Sequence, residues 1–277
     1  KLKDVRDLHL QTILNTQAGM SYSHVSKLRM VMQELFRQAR RSRLIIYDPA
    51  EGLLLPESVK RSHRPITKAE RRHILAVAQN HPAGLWVLTI LYTGLRPGET
   101  AALFWEDIDF DRNEIHVYKA VESGTRTIKA PKTPAGIRDI PMRQELRERL
   151  LAVRGEGTAP VFPSANGGIR SANSLRRLWN SFAHALDLHM GAKVRDGQIL
   201  QHAVAPDLTP YCLRHTFCTD LQRAGVPINV AKELMGHANI SVTANIYTHR
   251  DQKVLHNNMA KLNPKGRRTV GKTQEKT

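Results

Sequence analysis

The sequence has very little cysteine. Among 277 residues only Cys212 and Cys218 occur, six positions apart. On one predicted helix this spacing excludes a disulfide between them, and two cysteines without neighbouring ligands exclude a zinc site. The sequence also lacks an apolar run approaching the roughly 20 residues that cross a bilayer, and no signal-peptide pattern opens it. These absences favour a protein of the reducing cytoplasm.

Acidic residues are also few. There are 25 Asp and Glu against 42 Lys and Arg, which gives a formal net charge of +17 and a pI near 10.3. No acidic cluster is present that would bind a metal ion, and the natural partner of such a chain is a polyanion, with nucleic acid first. A basic ribosomal or membrane-surface protein would collect its charge in low-complexity runs or one amphipathic helix. Here the basic residues are spread through a chain that is 41% hydrophobic.

The apolar pattern divides the chain into several parts. Residues 1–55 predict a small helical unit, with one helix over 7–16 and a longer one that Ser23 caps and that runs to about Arg43. After it, the sequence predicts a linker at 56–64, a larger domain at 65–262 and a basic disordered tail at 263–277. Because the chain starts at Lys1 without an initiator methionine, we expect that a further segment precedes it.

The larger domain is predicted to be mainly α-helical, with a few short strands. A capping box at Thr67–Glu70 and an almost wholly apolar segment at 82–92 predict its first two helices. The other predicted elements are a helix at 145–153, a helix capped by Ser171, one three-stranded antiparallel sheet from 115–121, 127–130 and 137–141, an insertion loop at 187–206 and a short helix at 253–262. The expected fold class is therefore mainly α with a small antiparallel β-sheet (α+β).

Three polar side chains near the end of the chain are chemically matched. Arg214, His237 and Tyr247 lie on consecutive short helical segments, two of which end at a glycine, Gly225 or Gly236. A fixed cation, a hydrogen-bond donor and an oxygen nucleophile are the groups that an attack on a phosphodiester requires. The sequence therefore predicts phosphoryl-transfer chemistry in this region.

A second arginine lies upstream, in a turn between two predicted helices. Gly94 permits the turn and Pro97 is suited to start the next helix, so that Arg96 lies on a rigid backbone. The motifs that surround these residues resemble those of the tyrosine recombinases, the phage-integrase family. The resemblance lies in the segment Thr93 to Trp105, in Leu213-Arg214-His215-Thr216, in Leu234-Met235-Gly236-His237, and in Tyr247 ten positions after the histidine.

The resemblance implies an N-terminal core-binding domain that clamps DNA at 1–55 and a catalytic domain at 65–262. It implies site-specific DNA recombination, without a metal ion or other cofactor. Tyr247 would attack the scissile phosphate, which is held by Arg96, Arg214 and His237. The products are a covalent 3′-phosphotyrosine and a free 5′-hydroxyl, and two successive strand exchanges pass through a Holliday junction.

Three further positions complete the predicted site. Lys132, at a predicted hairpin tip, lies where the family has a mobile catalytic lysine, and Lys129 is the alternative. Glu99 is either a carboxylate that orients an arginine or an ordinary acid of a helix N-terminus. Tyr211 lies where the family commonly has a histidine, and a phenol donates a hydrogen bond to a phosphate but is a poor base at neutral pH. The proton acceptor from Tyr247 is then His237 or a phosphate oxygen, and Tyr211 is a rival nucleophile.

The implied partner is double-stranded recombination-site DNA, in the bacterial cytoplasm and associated with the nucleoid. The family further implies a homotetramer on DNA, with the C-terminal segment docked on a neighbouring subunit, and an excisionase or a host DNA-bending protein as accessory. Basic side chains on predicted helix faces and on one hairpin are candidates for DNA backbone contact, with a solvated surface as the alternative. These candidates are Lys27, Arg40, Arg41, Arg43, Lys129, Arg176 and Arg177.

Two other functions share most of these features. A type IB topoisomerase uses the same constellation but nicks a single duplex, whereas the separate small helical domain and the C-terminal segment favour recombination. A non-catalytic DNA-binding regulator on the same fold would not need all the polar site residues. Within the recombinases, the sequence resembles integrases of conjugative transposons and temperate phages more than the Xer proteins that resolve chromosome dimers.

Overall fold

The computed structural model describes residues 1–58, 63–122, 126–131 and 133–247, without the side chains of Asn245 and Tyr247. The chain forms two compact units, which divide after Ser62, inside the range predicted as a linker. The roles assigned to these units from the sequence stay predictions. The short helix predicted at 253–262 and the basic tail lie outside the described residues.

The N-terminal unit is built on two helices, α1 (Asp7–Asn15) and α2 (Tyr22–Arg41). The hydroxyl of Ser21, not that of Ser23, caps α2 by accepting a hydrogen bond from the backbone N–H of His24 at 3.3 Å. One apolar stripe of α2 packs with α1 and with the chain that follows it, at helical spacing. The buried side chains of this core are Leu10, Leu14, Val25, Phe36, Ala39, Ile45, Ala50 and Leu53.

The second unit contains the other eight helices of the described chain. They are α3 (Lys68–Val77), α4 (Gly84–Thr93), α5 (Pro97–Ala101), α6 (Gln144–Ala152), α7 (Ala172–His189), α8 (Pro210–Arg223), α9 (Ile228–Met235) and α10 (Ile240–Tyr247). The capping boxes that start α3 and the serine cap of α7 lie where the sequence predicts them. No helix in the described ranges is long and apolar enough to cross a membrane.

Helix α4 lies at the centre of the second unit. All of its residues except Leu85 are buried, as expected for a helix that is apolar on every side. It packs against α8 and α6, so that its C-terminal end and the polar face of α8 lie side by side. The two cysteines on α8 are free and buried, and burial raises the pKa of Cys218 to about 11, so that it stays a thiol at neutral pH.

The strands form three small antiparallel sheets, and the single sheet predicted from the sequence is wrong in part. β1 (Ile108–Asp109), β2 (Glu114–Val117) and β5 (Arg138–Pro141) pair in the order β1-β2-β5, whereas β3 (Ala120–Val121) and β4 (Ile128–Lys129) form a separate pair. The predicted strand at 115–121 is interrupted at Tyr118 and Lys119. The ammonium of Lys119 donates to the buried carboxylate of Asp107 at 2.9 Å. The fold is α+β, as predicted.

The range predicted as an insertion loop, 187–206, begins with the last three residues of α7 and contains a hairpin of β6 (Lys193–Arg195) and β7 (Gln198–Gln201). Asp196 and Gly197 both have positive φ, of 50° and 76°, which is the two-residue turn that Asp-Gly favours between antiparallel strands. The base of the hairpin is fixed by Asp187, whose carboxylate accepts the backbone N–H of Ala203 at 2.7 Å and that of Val204 at 2.8 Å.

Candidate functional site

The turn after α4 places Arg96. Gly94 ends the helix in the left-handed region, with φ of 66°, where a Cβ atom would collide with the ring of Phe217. The chain is then extended at Arg96, and Pro97 occupies the first position of α5. The backbone N–H of Arg96 donates to the Glu99 carboxylate at 2.8 Å, which caps α5 and fixes the turn. Arg96 is thereby held at the rim of a cleft.

Glu99 lies at the centre of a cluster of three guanidinium groups. Its side chain is only 6% exposed. Nη1 of Arg96 donates to Oε1 at 2.6 Å, Nη2 of Arg138 donates to Oε2 at 2.9 Å, and Nη1 of Arg214 lies 4.0 Å from Oε2. The two interpretations of Glu99 are thus compatible, because the carboxylate is both an acid of a helix N-terminus and a partner of arginines.

Arg138 is a member of this cluster that the sequence analysis missed. It opens β5, and its side chain is 2% exposed. Along this strand Arg138 and Ile140 are buried while Asp139 and Pro141 are exposed, as the alternation of a strand requires. That alternation is the signal that could have found it, since an arginine on the same face as a core isoleucine needs a buried acceptor.

The C-terminal end of α9 joins the three arginines. Its last carbonyl groups have no partner within the helix and carry the negative end of the helix dipole. Three successive carbonyls each accept a hydrogen bond from a different arginine. Leu234 accepts from Arg138 at 2.8 Å, Met235 from Arg214 at 2.5 Å and Gly236 from Arg96 at 2.9 Å. Arg214 also donates to the carbonyl of Gly94, so that α8 connects the end of α9 with the end of α4.

The pKa values show that this cluster stays ionised at neutral pH. Burial alone would raise the pKa of Glu99, but the hydrogen bonds of Arg138 and the charges of Arg138, Arg96 and Arg214 outweigh it and lower that pKa to about 2. Burial, together with repulsion from Arg96, lowers the pKa of Arg214 to about 9. Three cations and one carboxylate leave a net charge of +2 in a largely dehydrated site, which is an arrangement suited to a phosphate group.

His237 follows the left-handed residue Gly236, whose φ is 62°, and is 8% exposed. Its Nδ1 lies 2.9 Å from Oγ1 of the buried Thr243 on α10, so that the helix that carries Tyr247 orients the imidazole ring. Burial, and then the charges of Arg214, Arg96 and Arg138, lower the pKa of His237 to about 4. The imidazole is therefore neutral at pH 7. Thr243 has no distinctive sequence context, and the sequence analysis missed it.

Tyr211 lies in the first turn of α8 and is 44% exposed. Its ring is stacked on the imidazole of His63, with centroids 5.1 Å apart and 15° between the planes. The phenol lines the same cleft as Arg96, on the side of α8. The structure thus brings Tyr211 and Arg96 together at one cleft.

A cleft of about 1000 Å³ opens over the cluster. Its walls come from α5, the β3-β4 pair, α7 and the start of α8, and include Arg96, Lys129, Arg176, Tyr211 and Gly236. Pro131 and Thr133 also line it, whereas Lys132 between them lies outside the described residues. Tyr247 is the last residue of α10, and the position of its phenol lies outside the description as well.

All seven predicted DNA contacts have exposed side chains, and two of them, Lys129 and Arg176, line the cleft. Lys27, Arg40, Arg41 and Arg43 are exposed in the N-terminal unit, with Arg40 3.8 Å from Glu51. In the second unit Arg176 and Arg177 are exposed on α7, and the Lys129 ammonium pairs with Glu122 at 2.7 Å. Among the described residues, no three His, Cys, Asp or Glu side chains lie together in a group that could hold a metal ion.

Comparison with known sequences gives a family and several relatives. The model of the phage integrase family matches residues 64–253. A XerC-like tyrosine recombinase of Caldanaerobacter subterraneus subsp. tengcongensis is 27% identical, over 95% of this chain and 72% of the relative. The transposase of transposon Tn916 from Enterococcus faecalis is 30% identical, over 59% of this chain and 41% of the relative.

Solved structures give the same fold. The integrase of transposon Tn1549, in complex with a circular intermediate DNA, has a TM-score of 0.75 at 23% identity and covers 94% of this chain and 86% of its own. A lambda integrase dimer bound to a COC′ core site has a TM-score of 0.60 at 18% identity, over 91% and 82% of the two chains. Because the family match spans most of the chain and contains both arginine motifs, the histidine and the tyrosine, this chain belongs to the phage integrase family of tyrosine recombinases.

Proposed function

We propose that the protein is a site-specific recombinase that integrates or excises a mobile element by cleaving and rejoining DNA through a covalent 3′-phosphotyrosine. The observation that carries the proposal is the cluster of Arg96, Arg214 and Glu99 beside a neutral His237, with Arg96 and Glu99 lining an open cleft. The relatives from transposons Tn916 and Tn1549 support a mobile element as the source of the DNA.

The chemistry assigned to the arginines is stabilisation of charge. When Tyr247 attacks the scissile phosphorus, the bond to the 5′ oxygen breaks and negative charge builds on the two non-bridging oxygens. Arg96 and Arg214 donate to these oxygens from fixed positions, and a guanidinium suits the task because it stays charged and donates in a fork. Lys132 gives its proton to the leaving 5′ oxygen, and Lys129, which lines the cleft, is the alternative donor.

His237 is assigned as the acceptor of the phenolic proton of Tyr247. In the free protein burial and three nearby cations keep its pKa near 4, so that the ring is neutral and one of its nitrogens carries a lone pair. A bound phosphodiester adds negative charge to the cluster, which offsets part of the cationic field and raises the basicity of the imidazole. Tyr211, which lines the same cleft, donates a hydrogen bond to a non-bridging oxygen, and His237 remains the base.

Each segment of the chain has a role in this proposed reaction. Residues 1–55 form the core-binding domain, 56–64 the linker, 65–262 the catalytic domain and 263–277 the tail. Their exposed basic side chains contact the phosphates of duplex DNA on either side of the scissile bond. Four copies assemble on two sites, with the C-terminal segment of each docked on a neighbour, and an excisionase or a DNA-bending protein sets the direction of the reaction.

A suicide-substrate assay tests the chemistry. Nicked duplexes from the ends of the element lose the short 5′-hydroxyl strand after cleavage, so that the covalent intermediate accumulates and is resolved on a denaturing gel. We expect an adduct that forms in EDTA and maps to Tyr247 by peptide sequencing, and none with Tyr247→Phe, which still binds the DNA. An adduct formed by Tyr247→Phe at the wild-type yield would sink the assignment of the nucleophile.

The same assay separates the other two functions. A type IB topoisomerase would form the adduct on a single duplex and relax a supercoiled plasmid that has no recombination site. A DNA-binding regulator would bind the duplex tightly and form no adduct. A recombinase requires two sites and yields joined products from them.

A further inference from the structure

Arg138 is the most buried arginine of the cluster. Its side chain is 2% exposed, and all three of its nitrogen atoms are already bound. Nε donates to the carbonyl of Leu234 at 2.8 Å, Nη1 to Gly136 at 3.2 Å and to Glu99 at 3.3 Å, and Nη2 to Glu99 at 2.9 Å. An arginine in this position acts through other residues and not on the substrate.

We infer that Arg138 is a positioning residue, which occupies Glu99 so that Arg96 and Arg214 remain directed at the scissile phosphate. The inference rests on the proposed function. Glu99 is the one carboxylate among three guanidiniums, and Arg138 binds both of its oxygens. Without Arg138, the buried carboxylate would bind Arg214, which lies 4.0 Å away, and would compete with the phosphate for it.

A second contact links Arg138 to the histidine. A Cβ atom at Gly236 would lie 2.7 Å from Nη1 of Arg138, so that the guanidinium packs directly against the turn before His237. Through Gly136, the same side chain also binds the loop that follows Lys132 in the sequence. Arg138 thus connects the turn of Arg96, the end of α9 and the segment between β4 and β5 at Gly136. These are the three segments that the reaction needs at a constant spacing.

Three variants test this role. Arg138→Met is expected to lower the rate of adduct formation by about 10- to 100-fold, the factor that loss of a charged buried hydrogen bond produces, with DNA affinity changed less than about threefold. Arg138→Met with Glu99→Gln removes one positive and one negative charge and is expected to recover most of the rate. Arg147→Met is the matched control, because Arg147 on α6 donates to the Phe110 carbonyl outside the cleft, at 3.2 Å, and should react as the wild type does.

Recovery of the rate of adduct formation in the double variant distinguishes a positioning role of Arg138 from a role in fold stability alone. If Arg138 only stabilised the fold, the second substitution would remove more hydrogen bonds and lower the rate further. A double variant slower than Arg138→Met, or an Arg138→Met variant as fast as the wild type, overturns the inference. Because the deletion of a buried arginine could unfold the domain, Arg138→Lys, which keeps the charge, is measured in parallel and is expected to fall between the wild type and Arg138→Met.

A titration makes the test independent of catalysis. The pKa of His237, followed by NMR of its ring protons, should rise in Arg138→Met because one nearby cation is lost, and should return toward the wild-type value in the double variant. Equal His237 pKa values in the wild type and Arg138→Met would overturn the inference. If the wild type forms no adduct at all, the proposed function is wrong, whereas the titration still decides whether Arg138 and Glu99 set the charge around His237.

Discussion

At the scale of single residues, burial and neighbouring charges together set the pKa values of the site. His237 is a histidine whose protonation is opposed twice, by loss of water and by three guanidiniums, so its pKa lies near 4 in the folded protein. In the unfolded chain it is near the ordinary value of 6.5. Between these values the unfolded state binds a proton that the folded state does not, so that stability falls as the pH falls.

The consequence is measurable. Replacement His237→Gln removes this proton linkage, so that the wild type should lose up to about 3 kcal/mol more stability than the variant between pH 6.5 and pH 4. Urea unfolding at several pH values, followed by tryptophan fluorescence, measures the difference, since Trp86, Trp105 and Trp179 all lie in the second unit. Parallel pH profiles of the two proteins would show that His237 is not held neutral by the fold.

Tyr211 gives a second prediction at this scale. If it donates a hydrogen bond to a phosphate oxygen, Tyr211→Phe should slow adduct formation by about 10- to 100-fold, as loss of a hydrogen bond to a charged group does. Tyr211→His restores a donor and should retain cleavage. Single-turnover rates on the suicide substrate measure both. Complete loss of the adduct in Tyr211→Phe, with its presence in Tyr247→Phe, would instead identify Tyr211 as the nucleophile.

At the scale of elements, the sequence predicts helix ends and turns correctly where a single residue or a short motif determines the backbone conformation. Gly94 and Pro97 predicted the turn at Arg96, and Thr67 with Glu70 predicted the start of α3, because a positive φ or a capping box needs no distant partner. The hairpin at 193–201 carried such a signal in Asp196-Gly197, which the sequence analysis overlooked.

The pairing of strands and the partners of buried charges were not predictable in this way. β1 has two residues, too few for a pattern, and it pairs with β2 because the chain between them turns back. The prediction of one sheet failed because Tyr118 and Lys119 lie outside the strands, so that β2 pairs with β5 while β3 pairs with β4. Arg138 binds Glu99, which lies 39 positions earlier in the chain, and no local sequence pattern predicts that contact.

The glycine that ends α9 allows a test at the element scale. Gly236 has φ of 62° and lies against Arg138, whereas Gly191, which follows α7, has φ of 91° and open space around it. Both alanine substitutions lower the free energy of unfolding by about 1 kcal/mol, because alanine is strained at a positive φ. Only Gly236→Ala must also displace the guanidinium of Arg138. We expect Gly236→Ala to be less stable than Gly191→Ala in urea and to form adduct more slowly. Equal stability of the two variants would contradict the close contact seen here.

At the scale of the whole molecule, the charge of +17 predicts binding that depends strongly on salt. Arg41 is exposed on α2 and is a predicted phosphate contact, while Arg112 is exposed on the turn between β1 and β2 and is not. Arg41→Ala should weaken binding to specific and non-specific duplexes alike and reduce the slope of log K against log salt by about 1. Arg112→Ala serves as the control. Fluorescence anisotropy at a series of salt concentrations measures both slopes, and an unchanged slope for Arg41→Ala would remove α2 from the DNA interface.

The end of α9 has a further consequence for the molecule. The carbonyls of the last two residues of α9 and of Gly236, which follows it, each bind a different arginine. This helix end therefore fixes the spacing of three charges that come from β5, α8 and the turn before α5. One residue inserted into its last turn would rotate the carbonyls by about 100° and put all three guanidiniums out of register together. A residue inserted between α8 and α9 would leave the positions of these three carbonyls relative to one another unchanged. We therefore expect the site to tolerate an inserted residue before α9 but not in the last turn of α9.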